Sequence, residues 1–298
     1  MRAVLITSFT GIDGLEVGDA PAPVARDDEI LVSVKAASLG PWDLYTLQGA
    51  WAGGASGLPQ VAGWDFAGET GNGRRVLGFV AQPFMSVGAL AEQAAVPAQI
   101  VADLPPGLTF EQGSALPVCA LTAKLVLDAS QPAEAGVVLV SGAAGQVGGY
   151  IVQLARRRGL RVLAAVFERD RQTAYGLGAD AVVSTEGDLA VAVHEQFPDG
   201  VDACLDTIGL GDRGLACVRD GGAFVTSVPP SVPGAQRQIE PTTVAVHPDT
   251  QALAELAELA AAGALTVRIS QTFPIERAQE AYRLLERGDL DGKVVITI

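Results

Sequence analysis

The stretch "VLVSGAAGQVGGYIVQLARRRG", residues 138–159, sets a run of aliphatic and β-branched residues against five glycines. Residues 137–142, "VVLVSG", read as a strand buried on both faces. Residues 146–159 read as a helix that closes in three arginines and Gly159, the usual signs of a helix C-terminus. Between them the spacing is Ala143-x-Gly145-x-x-Gly148, with Gly142 before it and Gly149 after. A glycine turn that leaves a strand and opens a helix is the context in which this spacing signals dinucleotide binding. Gly145 lets the backbone approach a pyrophosphate, Gly148 lets the helix pack close on the strand, and the free N–H groups of the first turn face the phosphates. The expected cradle is Gly142, Ala143, Ala144, Gly145, Gln146, Val147 and Gly148. The plainer alternative is a tight strand–helix turn that holds no ligand.

Outward from this stretch the same alternation continues. Strand-like runs at 161–166, 180–184, 201–207 and 222–228 are separated by helix-length segments, which implies a parallel sheet covered on both faces. Residues 1–112 differ. "EILVSVKAASL" alternates apolar and polar residues, "RRVLGFV" and "AEQAAVP" follow as short strands, and Gly/Pro-rich connections lie between them. Residues 249–298 hold two amphipathic helices that end at glycines and a final strand, "GKVVITI", read as rejoining the first zone. The expectation is an α/β protein: a Rossmann doubly wound domain over 113–248, inserted into a β-rich domain made of 1–112 and 249–298.

Composition narrows the function. The chain of 298 residues has a formal net charge of −14, which disfavours nucleic acid and anionic membrane surfaces as partners. It has no apolar run long enough to span a membrane, and its first residues lack the apolar core of a secretory signal. Cys119, Cys204 and Cys217 are far apart and form no C-x-x-C pair. They fit small buried hydrophobes in a reducing cytoplasm.

At this point the sequence resembles a family. "GAAGQVGGYIVQLARRRGLRVLAA", "LPQVAGWDFAGE", "LTFEQGSALPVCALTAK", "DACLDTIG", "RDGGAFVTSV" and "TFPIERAQEAYRLLERGDLDGKVVITI" are similar to segments of the zinc-independent medium-chain dehydrogenases/reductases, quinone oxidoreductase branch. The likeness covers nearly the whole chain. It implies a GroES-like catalytic domain split in sequence around the Rossmann domain, a homodimer, and reduction of a small quinone or α,β-unsaturated carbonyl by a nicotinamide cofactor. Two other readings remain: an enoyl-thioester reductase of a biosynthetic pathway, or an NADPH-binding sensor or structural protein without catalysis.

Metal chemistry requires about three Cys, His or carboxylate ligands around an open position. In the zinc-dependent relatives the resemblance places Cys where Gly40 stands and Gly-His-Glu where Gly63, Trp64 and Asp65 stand. Cys and His are missing here, so no metal is expected, and His194 and His247 match no ligand pattern. The candidate substrate stretch is "SLGPWDLY", Ser38–Tyr45. Relatives often carry Asn where Gly40 stands. Tyr45 matches a tyrosine found near substrate in some members, as a hydrogen-bond donor or as a wall of the pocket. Asp43 is expected to be ionised unless deeply buried. Trp42, Trp51 and Trp64 are candidates for an apolar pocket or for ordinary core.

For the cofactor, the resemblance suggests Thr122 beside the nicotinamide; the alternative is a hydroxyl on a helix surface. Lys293 is a candidate for a phosphate or ribose, or an ordinary solvated lysine. Thr207, Ile208 and Gly209 end one Rossmann strand, and Ser227 and Val228 end the next, at the edge where ligands sit in such sheets. The second strand ends at Val166 without an acid and is followed by Phe167, Glu168, Arg169, Asp170 and Arg171. Arg169 and Arg171 suit a 2′-phosphate, which points to NADPH. Glu168 is the opposing candidate, as the carboxylate of an NAD site.

Overall fold

The computed structural model describes residues 1–298 apart from 51–56, 81–87 and 289. It divides into two compact units, Met1–Val118 with His247–Ile298, and Cys119–Val246.

The first unit opens with strands β1 (Arg2–Ile6), β2 (Leu15–Asp19) and β3 (Glu29–Leu39), followed by the short helix α1 (Pro41–Leu47). Strands β4 (Gln60–Val61), β5 (Asp65–Thr70), β6 (Arg75–Phe79), β7 (Gln93–Pro97) and β8 (Val101–Asp103) come next, then helix α2 (Phe110–Ser114). Thr109 caps α2 by accepting from the Gln112 N–H at 3.2 Å, while its own N–H donates to the Gln112 side chain at 3.0 Å. Helix α3 (Pro117–Ser130) crosses from this unit into the next.

The second unit alternates strictly: β9 (Val137–Ser141), α4 (Gln146–Arg157), β10 (Arg161–Val166), α5 (Arg171–Gly176), β11 (Ala181–Ser184), α6 (Leu189–His194), β12 (Val201–Asp206), α7 (Asp212–Leu215), β13 (Val218–Thr226) and β14 (Thr242–Thr243). The chain then returns to the first unit with α8 (Thr250–Ala261), β15 (Ile269–Pro274), α9 (Ala278–Arg287) and β16 (Lys293–Thr297).

In the second unit all strands pair in parallel, in the order β11-β10-β9-β12-β13-β14. This is the doubly wound order in which the direction of winding reverses between the first and fourth strands, here β9 and β12. Leu139, Leu163, Val183 and Phe224 share one buried cluster with Leu215 and the thiols of Cys204 and Cys217. Burial raises both thiols, Cys217 to about 11, which leaves them as inert packing groups. Helix α4 buries Tyr150, Ile151 and Leu154 and turns its arginines outward, and Gly159 takes the left-handed conformation (φ +77°) that stops it.

The first unit holds a sheet in the order β15-β16-β3-β5-β6-β8, with β7 also on β3, and a small sheet β2-β1-β4. The C-terminal strand β16 lies antiparallel to β3, pairing Val294 with Leu39 and Thr297 with Ala36. Leu39, Phe66, Val294 and Tyr282 pack in its core.

Strands β1, β2, β4, β5, β8 and β15 were not singled out in the sequence reading, and the second unit differs from it in two further ways. β13 begins at Val218 rather than at 222, because the Gly221–Gly222 pair does not break it. The two-residue strand β14 was not expected; both of its threonines are exposed, and it is too short to show a period.

Candidate active site

The glycine turn lies at the switch point of the parallel sheet. β9 ends at Ser141 and α4 begins at Gln146, so the residues 142–145 form the whole connection. Gly142 has φ +60°, a conformation that side chains disfavour, and a Cβ there would stand 2.5 Å from Ile208 Cγ2 and 2.9 Å from Thr207 Oγ1. A Cβ on Gly148 would overlap the Gly142 carbonyl, so helix and turn can approach this closely only without one. At Gly145 the nearest neighbour of such a Cβ would be the Gly142 oxygen at 3.1 Å. The turn is therefore a bare backbone cradle at the N-terminus of a helix of 12 residues. That fits a pyrophosphate.

Across the switch point, three neighbouring strands end in buried polar residues: Ser141 on β9, Asp206 on β12 and Thr226 on β13. Ser141 Oγ donates to Asp206 Oδ1 at 2.7 Å and accepts the Thr207 N–H at 2.8 Å. Thr207 Oγ1 donates to the Ser141 carbonyl at 2.7 Å. The N–H groups of Ile208 and Gly209 point at the same Asp206 oxygen at 3.3 and 3.0 Å. Ser227 N–H donates to the Asp206 carbonyl at 3.0 Å, and Val228 N–H to Thr226 Oγ1 at 2.9 Å. Thus Thr207 and Ile208, expected at the ligand edge, stand against Gly142 of the glycine turn, while Ser227 and Val228 follow the neighbouring strand, with Val228 beside Gly209.

Beyond β10, the Arg169 guanidinium lies over the exposed Phe167 ring at 5.2 Å. Glu168 pairs with Arg171 at 3.4 Å, and Arg169 stands 3.9 Å from Asp170. Glu168 is thus partnered by a cation on its own turn. Thr122 is buried on α3, so the helix-surface reading of its hydroxyl does not hold.

The first unit has its own polar cluster. Lys293, at the start of β16, is only 3% exposed, and its ammonium donates to Asp65 Oδ2 at 3.2 Å and to the Leu39 carbonyl at 3.1 Å. Both expectations for Lys293 are corrected: it is neither solvated nor extended toward a phosphate, because the partner it needs stands inside the sheet. Asp65 is fully buried and also takes the Val118 N–H at 2.8 Å and the Ser38 hydroxyl at 3.5 Å. Burial pushes its carboxyl upward, and Lys293 and these donors pull it back.

Above the ion pair sits α1. Lys293 Nζ lies 4.5 Å from the Trp42 ring centre, and Trp42 packs on Trp64 with ring centres 6.4 Å apart. Trp64 is itself buried and donates to Thr46 Oγ1 at 3.3 Å. Gly40 N–H donates to Asp43 Oδ2 at 2.8 Å. A Cβ on Gly40 would overlap the Trp42 indole, which explains why neither Cys nor Asn stands there. The sequence reading allowed Asp43 to be ionised unless deeply buried, and it is buried, 1% exposed. Desolvation pushes its pKa up to about 8, so it holds its proton at neutral pH. Tyr45 lies on the opposite, open side of α1, 53% exposed. Trp51 lies outside the described residues. Among the described residues no three His, Cys, Asp or Glu side chains are gathered as a metal site, and no helix is long and apolar enough to cross a membrane.

The Asp65–Lys293 pair and the Ser141–Asp206–Thr226 row were not singled out from sequence. For the row the signal was a polar residue ending each apolar strand, as in "VDACLD"; Asp65 and Lys293 open their strands and carried no such signal.

A family model described as zinc-binding dehydrogenase matches residues 177–296. The 2-methylene-furan-3-one reductase of Solanum lycopersicum is 28% identical, over 99% of this chain and 79% of its own length. The NADPH-dependent alkenal/one oxidoreductase, chloroplastic, of Arabidopsis thaliana is 28% identical over the same shares. A solved quinone oxidoreductase from Coxiella burnetii superposes with a TM-score of 0.89 at 27% identity, covering 100% of this chain and 99% of that one. The chain belongs to the medium-chain dehydrogenase/reductase superfamily, quinone oxidoreductase branch. It is an oxidoreductase with a Rossmann domain and a split GroES-like domain.

Proposed function

We propose that this oxidoreductase reduces quinones or α,β-unsaturated carbonyl compounds with NADPH and without a metal. The observation that carries the reading is the side-chain-free turn at the switch point, opening α4. The backbone of 142–148 would hold the pyrophosphate, Thr207–Gly209 and Ser227–Val228 would flank it, and Arg169, carried on Phe167, would take the 2′-phosphate. Thr122 is the candidate neighbour of the nicotinamide. A nicotinamide cofactor held in this way would supply hydride for the electrophilic carbon of a conjugated carbonyl. A conjugated acceptor spreads the developing charge over its oxygen, so no Lewis acid is required.

The chain's own part is to hold the reactants and to stabilise that oxygen. Tyr45, on the exposed side of α1, is the candidate donor to it. Asp43 keeps a proton but faces inward, and it serves α1 through the Gly40 N–H. The proton that completes the reduction comes from water. The metal-free part rests on residues: the positions of the Cys and His ligands are occupied by Gly40 and Trp64, and Asp65 is taken by Lys293. The homologues' small substrates support a soluble, small-molecule acceptor.

Steady-state NADPH oxidation against a panel of a 1,4-quinone, an alkenal, an enoyl thioester and a saturated primary alcohol tests the proposal. Turnover with the quinone or the alkenal is expected. Turnover on the thioester alone would assign the biosynthetic reading, and turnover on none would leave a binding protein.

A further inference from the structure

β12 carries two aspartates, and each ties the strand to its neighbours at one end. At the N-terminal end, Asp202 Oδ2 accepts the Val137 N–H of β9 at 2.7 Å, and Oδ1 accepts Arg219 Nε of β13 at 2.8 Å. Asp202 is partly open, with its side chain 24% exposed. At the C-terminal end, Asp206 is fully buried and gathers Ser141 of β9, Thr226 of β13 and the N–H groups of Ile208 and Gly209. The two carboxylates therefore do the same work for the sheet. Only the second does it across the switch point.

We propose that Asp206 is a positioning residue for the dinucleotide, fixing the glycine turn against the Thr207–Gly209 loop through Ser141. This rests on the cofactor reading given above. The turn follows Ser141 directly, and Gly142 is bounded by Ile208 and Thr207, so the width of the crevice is the distance between these two segments. The β9–β12 ladder and the Ile208 side chain against Gly142 bring the two segments together. Past the end of the ladder their polar ties are Asp206 Oδ1, which receives the Ser141 hydroxyl and two loop N–H groups, and the reciprocal Ser141–Thr207 bonds. Hydrogen bonds to a buried carboxylate are stronger than neutral ones, and three donors on one oxygen leave it little freedom to turn. A crevice held open before the ligand arrives spares the binding step the cost of ordering it.

The test compares three variants of the full chain: Asp206→Asn, Ser141→Ala and, as the control at the other end of the strand, Asp202→Asn. Melting temperature is measured together with the dissociation constants of NADPH and of adenosine 2′-monophosphate, which has the 2′-phosphate but no pyrophosphate. One lost hydrogen bond of about 1 kcal/mol corresponds to roughly five-fold in affinity, and a charged one to about ten-fold or more. Asp206→Asn and Ser141→Ala are expected to weaken NADPH by these factors and to leave the monophosphate within about two-fold. Asp202→Asn is expected to lower the melting temperature and leave both constants unchanged. Equal NADPH affinity in wild type and Ser141→Ala would overturn the role, as would an equal loss in Asp202→Asn, which would make the effect one of general stability. Should Asp206→Asn not fold, Ser141→Ala against Asp202→Asn decides alone. A wild type that binds neither NADPH nor NADH would instead overturn the cofactor reading, and the positioning role with it.

Discussion

At single positions the structure explains residues that the sequence only marked as unusual. Gly40 looked like a lost functional side chain. It is the space the Trp42 indole needs, since a Cβ would overlap the ring. Gly40→Asn is therefore expected to destabilise the chain by about 1–3 kcal/mol, as overpacking does, rather than to add a ligand-binding amide. Denaturant unfolding reads this directly, and an unchanged midpoint would contradict it. Asp43 makes a pH prediction. Burial raises its pKa from 3.8 to about 8, with Lys293 lowering and Asp65 raising it further, so the folded chain binds a proton that the unfolded chain releases. This contribution to stability is complete below about pH 4 and is lost as pH rises through about 8. Asp43→Asn, which keeps an acceptor for the Gly40 N–H, should flatten the fall in melting temperature over that range; identical pH slopes would show that Asp43 is not the group responsible. For Tyr45, an exposed donor worth about 1–3 kcal/mol, Tyr45→Phe should slow single-turnover reduction by about one to two decades with NADPH affinity unchanged. A loss beyond about 10⁴-fold would make it an obligatory acid. Of these three residues, sequence named all and ranked none. Burial decides between their readings, and burial at α1 comes from strands far away in the chain.

At the scale of elements, the strands with strong periodicity were legible and the joints between them were not. β3 was read with its observed bounds: residues 31–36 alternate between a more open and a buried face, and 36–39 are buried on both. The bond from β16 to β3 carries the lysine that pairs with Asp65 of β5, and that pairing spans 228 residues. No local pattern announces such a partner: Lys293 before a final strand has the same appearance whether solvated or buried. The pair also receives the first turn of α3 through the Val118 N–H, so it joins β3, β5, β16 and a helix at one point. Removing one partner leaves the other charge buried and uncompensated. Lys293→Met is accordingly expected to cost about 3–5 kcal/mol, and the double change Lys293→Met with Asp65→Leu to recover part of it. Thermal unfolding of the single and double variants checks this. A double variant no more stable than Lys293→Met would show that the hydrogen bonds to Val118 and Ser38, not the charge pair, hold the joint.

For the whole molecule, alternation alone gave a parallel sheet in the second unit, and right-handed crossovers limit its arrangements, while the strand order itself came only with the structure. The proposed ligand edge is the end of these strands at the switch point. What alternation does not carry is charge placement at that edge: Glu168, Arg169 and Arg171 lie within four residues, and only the structure shows Glu168 turned to Arg171 and Arg169 laid over Phe167. On this basis NADPH is expected to bind more tightly than NADH, and Arg169→Ala to narrow the difference; equal affinities in the wild type would return the site to Glu168. The domain boundaries of the compact units, 118/119 and 246/247, fall near the composition changes at 112/113 and 248/249, and α3 runs through the first of them. The central claim is hydride transfer from NADPH to a conjugated carbonyl without metal. It is tested most directly by single turnover with NADPH deuterated at C4, on chelator-treated protein, followed by mass analysis of an enone product. The account predicts one deuterium at the β-carbon, at an unreduced rate in protein holding far less than one zinc per chain. Absence of label at that carbon, or transfer that appears only when zinc is restored, would contradict it.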